Sequence, residues 1–393
     1  MDDVDAIVIG AGPAGSAAAI MLARAGRRVV LLDRAVFPRD KPCGDLIGAR
    51  AMAAARRLGV AESTLDPFSP LTGAIVTADD GWVDLAPGSQ VGRAFLARTD
   101  ARVIPRAVFD AALVEAARRT GAESRQVTVR DVGSWDTDGS RRVVRGMGPD
   151  GPVTFSAGVV ILAGGYGCRV VADVAADPNA KGPPRGIAMR GYFRGVTSPP
   201  GRIVFCLNDW VLPGYGWVFP LPNGEANVGV GVLANDRDGS SEHLRDLYNR
   251  FVADPASPVA SWLAGATASG SARSWPLDLG PRRRRLVADG LIVAGEAAAL
   301  VGPLTGAGIA FALESGARAG ETAAAALAAG DLRTAALAVY AQATVRRSFP
   351  WLRAEAVAQR WLSDPSHLRG LLRTVRPLPP TGAIGARLLL HLG

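Results

Sequence analysis

The first 34 residues alternate two short apolar runs with an apolar stretch at helical spacing. The runs DAIVIG and RRVVLLDR each predict a strand, and SAAAIMLARAG between them predicts a helix. A glycine turn, AGPAG, joins the first run to the helix. Strand, turn, helix and strand in this order predict a βαβ unit, the usual opening of a parallel sheet.

The pattern changes twice further along the chain. Helical spacing predicts helices at about 49–60 and 105–121, followed by a polar hairpin zone at 124–157 and a buried strand at 159–168. Residues 186–234 form short apolar runs between Gly, Pro and Asn turns, which predict an antiparallel sheet in a second layer or domain. The run GLIVAGEAAAL then predicts a returning buried strand, and helices follow to the end of the chain.

The glycine turn has the spacing of a phosphate-binding loop. Gly10, Gly12 and Gly15 follow G-x-G-x-x-G, which permits a tight turn, a close approach to a pyrophosphate and close packing of the helix. Amides at the helix N-terminus then face the phosphates. Asp33 ends the second strand, where a carboxylate accepts hydrogen bonds from a ribose. The unit therefore predicts dinucleotide binding.

Length and composition narrow the class of protein. A chain of 393 residues with 48% hydrophobic residues predicts two closely joined domains. Its three cysteines form neither a disulfide framework nor a Cys/His metal pattern, so no metal site is expected. The acidic start MDDVD, the short apolar run behind it and the lack of an 18-residue apolar stretch predict a cytoplasmic protein.

The net charge of +8 comes almost wholly from arginine, since Lys41 and Lys181 are the only lysines. Such a bias is common in proteins of GC-rich genomes, although basic residues also favour anionic ligands or lipid surfaces. We expect no nucleic-acid partner.

The stretch 341–393 holds Trp351, Trp361 and an apolar end, ARLLLHLG, with two acidic residues. It is compatible with a substrate lid, with peripheral membrane contact, or with a solvated helical cap, which is the favoured interpretation. Its arginines are Arg346, Arg347, Arg353, Arg360, Arg369, Arg373, Arg376 and Arg387.

Five separated motifs together resemble one family. They are GAGPAG near the start, PCGD at 42–45, RAVFD at 106–110, PGYGWVFPLPNGEANVGVG at 213–231 and GEAAALVGPLTGAGI at 295–309. Over residues 4–325 the chain resembles the geranylgeranyl reductase family, which belongs to the FAD enzymes with the p-hydroxybenzoate hydroxylase fold.

The resemblance implies an α/β fold in which a Rossmann-like FAD-binding domain carries an inserted α+β substrate domain, built on an antiparallel sheet, and a C-terminal helical segment. The expected parts are an FAD-binding domain at 1–70, 100–170 and 275–335, a substrate-binding domain at 71–99 and 171–274, and a C-terminal helical region at 336–393.

The resemblance also implies FAD in an extended pose. The amides of Gly306, Ala307 and Gly308 are expected at a helix start, where they would stabilise negative charge on the reduced flavin. For Arg106 an ordinary surface position stays open as an alternative. The expected FAD-binding residues are Gly10, Gly12, Ala14, Gly15, Asp33, Arg34, Cys43, Gly44, Arg106, Gly295, Glu296, Pro303, Gly306, Ala307, Gly308 and Ile309.

Two positions depart from the family pattern. Glu296 stands where the family usually has Asp for a ribityl hydroxyl, and Ala163, Gly164 and Gly165 stand where it usually has Ala-Asp-Gly. The missing Asp belongs to a motif connected with FAD and NADPH in related hydroxylases. Either NADPH or an electron-carrier protein therefore remains as the reductant.

The Pro-Cys-Gly turn of the family borders the flavin ring, so Cys43 is a candidate catalytic residue. Hydrogenation of an isolated double bond needs a proton at one carbon and a hydride at the other, and a thiol is mostly protonated at neutral pH. Cys43 could donate this proton or shape the pocket. Its alternative role is that of a small buried turn residue.

Tyr215, Trp217 and Phe219 alternate along a strand and so share one face. In the family this element lines the isoprenoid cavity, which makes the three residues candidate substrate contacts. A stripe of sheet core is the alternative. The run Arg282–Arg285 is expected to be solvated.

The leading prediction is an FAD-dependent oxidoreductase that reduces C=C bonds of an apolar isoprenoid or polyprenyl-type substrate. A monooxygenase (hydroxylase or epoxidase) of secondary metabolism is the first alternative, because the same fold hosts both chemistries. A flavin-binding protein with non-redox FAD is the second. Halogenation is set aside because neither lysine falls at the expected position, and no catalytic base is assigned, since His243, His367 and His391 lie outside the motifs.

Overall fold

The computed structural model consists of two large β-sheets with separate apolar cores and helices packed around them. It describes residues 2–79, 81–84, 100–135, 141–166, 186–233, 241–282 and 284–375. Cys168, Lys181 and His391, the chain end from 376, and residues 85–99 of the predicted segment 71–99 lie outside the described residues.

The strands are numbered in chain order. They are β1 (Asp2–Ile9), β2 (Val29–Asp33), β3 (Leu46–Ile47), β4 (Gly73–Ala78), β5 (Gly81–Asp84), β6 (Arg102–Val103), β7 (Glu123–Gln126), β8 (Thr128–Trp135), β9 (Arg142–Gly148), β10 (Gly151–Leu162), β11 (Gly186–Arg194), β12 (Arg202–Cys206), β13 (Tyr215–Pro220), β14 (Glu225–Leu233), β15 (Thr267–Ala268), β16 (Arg273–Leu277), β17 (Val287–Ala288) and β18 (Leu291–Val293).

The α-helices of the described residues are numbered in the same way. They are α1 (Pro13–Arg24), α2 (Ala49–Arg57), α3 (Glu62–Leu65), α4 (Arg106–Arg119), α5 (Ser241–Ala253), α6 (Ala260–Leu263), α7 (Ile309–Ala329), α8 (Thr334–Leu362) and α9 (Pro365–Val375).

The first sheet has the strand order β17-β18-β10-β1-β2-β7, with the hairpin β8-β9 attached to the start of β10. The strands from β18 to β7 are parallel, as the apolar runs predict. The strand predicted at 159–168 corresponds to β10. It begins earlier than predicted, because its first residues pair with β9, and it ends at Leu162, before the glycines.

Helices α1 and α7 pack backbone to backbone against each other beside this sheet. A Cβ at Gly316 would lie 2.0 Å from the carbonyl oxygen of Ala14, and one at Gly320 would lie 2.4 Å from that of Ala18. A step of four residues along α7, from Gly316 to Gly320, matches a step of four residues along α1, from Ala14 to Ala18, so the two helices run parallel. Small residues in both helices therefore bring two helix N-termini to the same side of the sheet.

The second sheet has the order β15-β11-β14-β13-β12-β4-β5, and β16 also pairs with β11. It is antiparallel as predicted except for β4 and β12, which pair in parallel. Helix α5 covers one face with Leu244, Leu247 and Phe251. Strand β16 belongs to this sheet and crosses the predicted domain boundary between 274 and 275.

Two basic segments make contacts that the sequence did not predict. Leu368 and Leu372 of α9 are buried against Val76 and Ala78, so this helix packs on the second sheet. In the run Arg282–Arg285, Arg282 and Arg284 form ion pairs with buried Asp278 instead of facing solvent. A buried carboxylate requires such partners. None of the described helices combines the length and apolarity needed to cross a membrane.

Candidate active site

A cleft of about 980 Å³ lies between the N-termini of α1 and α7 and strands β11, β13 and β14 of the second sheet. It brings together residues from every motif of the family resemblance. The predicted FAD-binding residues that line it are Gly10, Gly12, Ala14, Asp33, Arg34, Cys43, Gly44, Arg106, Glu296, Pro303, Gly306, Gly308 and Ile309.

Three predicted FAD-binding residues lie outside the cleft surface. A Cβ on Gly15 would lie 1.7 Å from the carbonyl oxygen of Gly10, and one on Gly295 would lie 2.7 Å from Cβ of Ala14. Both glycines therefore permit close packing behind the cleft wall. Ala307 lines a second cavity, described below.

Asp33 holds the glycine turn in place from the end of β2. Its Oδ2 accepts a 2.8 Å hydrogen bond from the amide of Ala11, and its Oδ1 accepts one from Ala35. A Cβ on Gly12 would meet only an Arg39 nitrogen, at 3.7 Å, so this side of the turn is open to the cleft. The first-turn amides of α1 lack helical partners, which suits a phosphate there.

The loop before α7 does not present all three predicted amides to the cleft. The amide of Gly306 donates to the carbonyl oxygen of Gly302, and that of Ala307 donates to the Thr305 hydroxyl at 3.2 Å. Of the three, only the Gly308 amide, together with the first turn of α7, remains available for a cofactor. This part of the expectation is therefore corrected.

Glu355 of α8 fixes the same loop from behind, which sequence reasoning missed. It is fully buried, and its Oε2 accepts hydrogen bonds from the amides of Leu304 and Thr305 and from the Thr305 hydroxyl. Burial raises the pKa of the Glu355 carboxyl. A Cβ on Gly302 would lie 2.3 Å from Oε2, so the carboxylate contacts the loop backbone.

Glu296 forms an ion pair across the cleft with Lys41 at 3.0 Å. Its other oxygen, Oε1, is buried without a hydrogen-bond partner on the protein. Lys41 also lies 5.6 Å from the centre of the Trp275 ring. The unpaired oxygen lies in the same cleft as the open glycine turn and fits a ribityl hydroxyl. The residues present therefore fit FAD, whose isoalloxazine would supply two-electron chemistry when bound.

The turn that carries Cys43 is bonded to the second sheet. Asn227 of β14 donates 2.7 Å to the carbonyl oxygen of Cys43 and 2.8 Å to Asp45 Oδ2. Its own oxygen accepts the Trp217 indole N–H at 2.9 Å. The Tyr192 hydroxyl donates to Asp45 Oδ2 at 2.6 Å, and the Arg106 amide donates to Oδ1 at 3.2 Å.

Asp45 is the buried carboxylate of this network. Burial raises its pKa to about 6, although hydrogen bonds from Tyr192 and Asn227 and the charge of Arg190 oppose this rise. Burial likewise raises the pKa of the Cys43 thiol, which the nearby Arg106 cation lowers in part. At neutral pH the thiol therefore carries its proton.

Arg106 is buried at the start of α4, so the surface alternative for this residue is wrong. Its Nε and Nη2 donate to Asp110 at 2.8 and 2.7 Å, and Arg39 pairs with the same carboxylate at 2.9 Å. Arg106 and Cys43 both line the cleft.

A second, mainly apolar chamber of about 260 Å³ adjoins the cleft at Cys43. Tyr215 and Phe219 line it, whereas Trp217 lines the cleft. The Tyr215 hydroxyl is bonded to the Thr305 carbonyl oxygen at 2.6 Å. Leu368, Leu371 and Leu372 of α9 form the far wall. No cluster of metal-ligating side chains occurs within the described ranges.

The residues that sequence reasoning missed are Lys41, Asp45, Tyr192, Asn227 and Glu355. Asp45 ends the motif PCGD, and Asn227 lies within the motif at 213–231. A polar side chain among glycines and apolar residues was the feature of the sequence that could have identified both as site residues. Lys41 was visible as a rare lysine in a chain that otherwise uses arginine.

Comparisons with known proteins agree with this geometry. The model of the FAD binding domain matches residues 3–199, and that of the geranylgeranyl reductase catalytic domain matches residues 187–264. A menaquinone reductase of Mycobacterium tuberculosis is 35% identical over 335 residues, 81% of this chain and 76% of that protein.

Two further proteins extend the comparison. A digeranylgeranylglycerophospholipid reductase of Methanosarcina acetivorans is 30% identical over 339 residues, which cover 84% of this chain and 77% of that protein. The crystal structure of a geranylgeranyl bacteriochlorophyll reductase-like protein of Thermoplasma acidophilum superimposes with a TM-score of 0.84 at 21% identity. That superposition covers 99% of this chain and 95% of the other.

The fold and the cleft define an FAD-dependent oxidoreductase with a mixed α/β architecture. Within that class, the chain belongs to the geranylgeranyl reductase family. The predicted family, fold class and cofactor FAD are confirmed.

Proposed function

We propose that this protein uses reduced FAD to saturate C=C bonds of an isoprenoid or polyprenyl-type substrate. The observation that carries the proposal is that Cys43 lines both the cofactor cleft and the apolar chamber. A thiol at the junction of these two cavities can reach a double bond held between them.

The chain's own residues supply binding, exclusion of water and a proton. Tyr215, Phe219 and the leucines of α9 enclose the apolar chain of the substrate. The Cys43 thiol keeps its proton at neutral pH, and transfer of that proton to one carbon complements hydride addition at the other. Two relatives, the menaquinone reductase and the digeranylgeranylglycerophospholipid reductase, have names in keeping with an isoprenoid-bearing substrate.

The reductant would be NADPH or an electron-carrier protein, and the protein would work in the cytoplasm, peripheral to the membrane.

The exposed tryptophans Trp351 and Trp361 of α8 support membrane contact. Arginines of α8 and α9 would approach anionic lipid headgroups. In a flotation assay we expect binding to phosphatidylglycerol vesicles and little binding to phosphatidylcholine vesicles. Equal recovery with both vesicles would contradict a role for these arginines.

The function is tested by single turnover without oxygen. The FAD-loaded protein is reduced with dithionite and mixed with geranylgeranyl diphosphate or a menaquinone, and products are read by mass spectrometry. We expect reoxidation of the flavin with addition of two hydrogen atoms to the substrate. Cys43→Ser should retain FAD and lose turnover, whereas Cys206→Ser, a change at a cysteine buried in β12, should keep it.

Two results would contradict the proposal. Flavin reoxidation that requires dioxygen and adds an oxygen atom to the substrate would identify a monooxygenase. Full turnover by Cys43→Ser would exclude the thiol as the acid.

A further inference from the structure

We propose that one wall of the cleft binds a phosphate group at the polar head of the isoprenoid substrate. This β16 wall consists of Arg190 of β11 and of Arg273, Trp275 and Leu277 of β16. The inference rests on the proposed function, because it assigns a second contact to the substrate whose apolar chain enters the chamber. The family motifs do not include these four residues.

The side chains of the β16 wall lie on one face of the second sheet. Strands β11 and β16 are antiparallel, in a register that places Arg190 opposite Arg273 and Ala188 opposite Trp275. Opposite residues share a face, and every second residue along a strand returns to it. The wall therefore presents two guanidinium groups, an indole ring and a leucine side chain to the cleft.

The two arginines form a pair of like charges directly opposite each other, which destabilises a sheet unless an anion balances them. Asp40 lies between them: its Oδ1 pairs with Arg190 and its Oδ2 pairs with Arg273 at 3.2 Å. The neighbouring Lys41 is already paired with Glu296. Among the described residues of this wall, three cations thus face two carboxylates, and one positive charge is left for an anionic ligand.

Two hydrogen-bond donors of the wall are buried without a partner among the described residues. They are Nε1 of Trp275 and Nε of Arg190, whose side chain is 4% exposed. The ion pair with Asp40 and the Tyr192 ring, 4.3 Å from the guanidinium, hold Arg190 in place. Buried donors in native proteins normally bond a protein atom, a water or a ligand. A phosphate group supplies both the acceptor oxygens and the negative charge, and guanidinium groups bind it strongly.

The β16 wall changes from cationic to apolar in the direction of the chamber. Arg273 is 58% exposed at the outer end, and Trp275 and Leu277 follow it along the strand. Leu277 lies 4.0 Å from the position of a Cβ on Gly306, which lines both the cleft and the chamber. Four residues of a strand span about 13 Å. A substrate with its phosphate at Arg273 therefore lays its chain along Trp275 and Leu277 toward the junction at Cys43.

The phosphates of NADPH have the same chemistry as this head group. The order of side chains along the wall favours the substrate, because a nucleotide has no long apolar chain to follow Leu277 into the chamber. The experiment below includes NADPH to distinguish the two sources.

The test compares two ligands that differ only in the head group. FAD-loaded full-length protein is kept oxidised, so that no turnover occurs, and is titrated by calorimetry with geranylgeranyl diphosphate and with geranylgeraniol in the same detergent. We expect the wild type to bind the diphosphate at least about tenfold more tightly than the alcohol. Arg273→Gln should bring this ratio of Kd values close to one without loss of FAD, and Arg273→Lys, which keeps the charge, should retain part of it.

Arg194→Gln is the matched control. Arg194 is also an exposed arginine at this edge of the sheet, paired with Glu225 at 2.8 Å, and it lies outside the lining of the cleft. We expect its ratio to equal that of the wild type. A ratio near one in the wild type, an unchanged ratio in Arg273→Gln, an equal loss in Arg194→Gln, or release of FAD from Arg273→Gln would each overturn the proposal. Weaker binding of NADPH by Arg273→Gln, with the ratio intact, would also overturn it and assign the wall to the reductant.

Because the titrations need no turnover, they separate this proposal from the proposed function. A preference for the diphosphate that depends on Arg273, in a protein that reduces no prenyl double bond, would leave the head-group site intact and refute the reductase. Reduction of both ligands by a wild type that binds them equally would refute the head-group site alone.

Discussion

The side-chain amide of Asn227 donates a 2.7 Å hydrogen bond to the carbonyl oxygen of Cys43. One residue comes from the second sheet and the other from the loop after β2, 184 residues apart in the chain. The thiol turn and the wall of the substrate cavity are thus joined by a single buried side chain, which also bonds Asp45 and Trp217.

Asn227→Ala should impair both stability and turnover. The change leaves the Asp45 carboxylate, the Cys43 carbonyl oxygen and the Trp217 indole each short of a partner, which costs about 2–4 kcal/mol in the free energy of unfolding. Denaturant titration and steady-state kinetics measure the two effects. Asn208→Ala is the control: this buried asparagine bonds Asp79 away from the cleft, so it should lose stability and keep turnover. A full rate in Asn227→Ala would contradict the positioning role.

Gly44→Ala should reduce turnover with little effect on FAD affinity. Its Cβ would lie 2.9 Å from Cε2 of Phe219 and must displace the ring that lines the chamber. We expect a fall in kcat/KM of about tenfold. The double variant Gly44→Ala with Phe219→Leu makes room for the methyl group and should recover part of the rate. Loss of FAD in the single variant, measured by flavin absorbance, would instead assign Gly44 to the cofactor.

Lys41→Met should weaken FAD binding. Without the ammonium group, Glu296 loses the contact that holds it across the cleft, and its carboxylate gains an unbalanced charge near the expected ribityl chain. Both side chains are largely buried, so we expect the Kd from flavin fluorescence to rise about three- to tenfold. Lys41→Arg keeps the charge and should bind FAD more tightly than Met does. Equal affinities of wild type and Lys41→Met would show that the pair does not support the cofactor.

The Glu355→Gln variant should gain stability relative to the wild type as pH rises. The pKa of Glu355 is raised by burial, so its contribution to stability is complete below the unfolded pKa of about 4.3 and is lost as pH rises through the folded value. Glutamine does not titrate, and its oxygen can accept the same three hydrogen bonds at the Oε2 position. The difference in unfolding free energy between variant and wild type should favour the variant more at pH 8 than at pH 5. A difference independent of pH would contradict the raised pKa.

Leu368→Trp should restrict the length of the prenyl chain that the chamber accepts. Leu368 is 3% exposed and lines the far wall of the chamber, where the larger ring takes up space needed by a long apolar chain. We expect KM to rise more for long prenyl chains than for short ones, with FAD content unchanged. Val357→Trp adds the same ring on the exposed side of α8 and should leave this preference as it was. Equal effects of the two changes would mean that α9 does not limit chain length.

The amino-acid sequence by itself determined the βαβ opening, the parallel sheet and the antiparallel character of most of the second sheet. These features depend on spacing within short segments: alternation along strands, apolar residues at helical intervals, and glycines where backbones approach closely, as at Gly316 beside Ala14. The family motifs identified the wall of the cleft for the same reason, since each motif is a contiguous stretch.

Only the tertiary structure decided which side chains meet. Lys41 and Glu296 are 255 residues apart, and Asp45 and Asn227 are 182 apart. Arg106 follows a proline at the start of a helix, a position that usually faces solvent, and packing against Asp110 and the Cys43 turn buries it. Glu355 reaches the loop at Thr305 because α8 folds back over it. Such partners depend on how sheets and helices pack across the molecule, and spacing within any one segment carries no information about that packing.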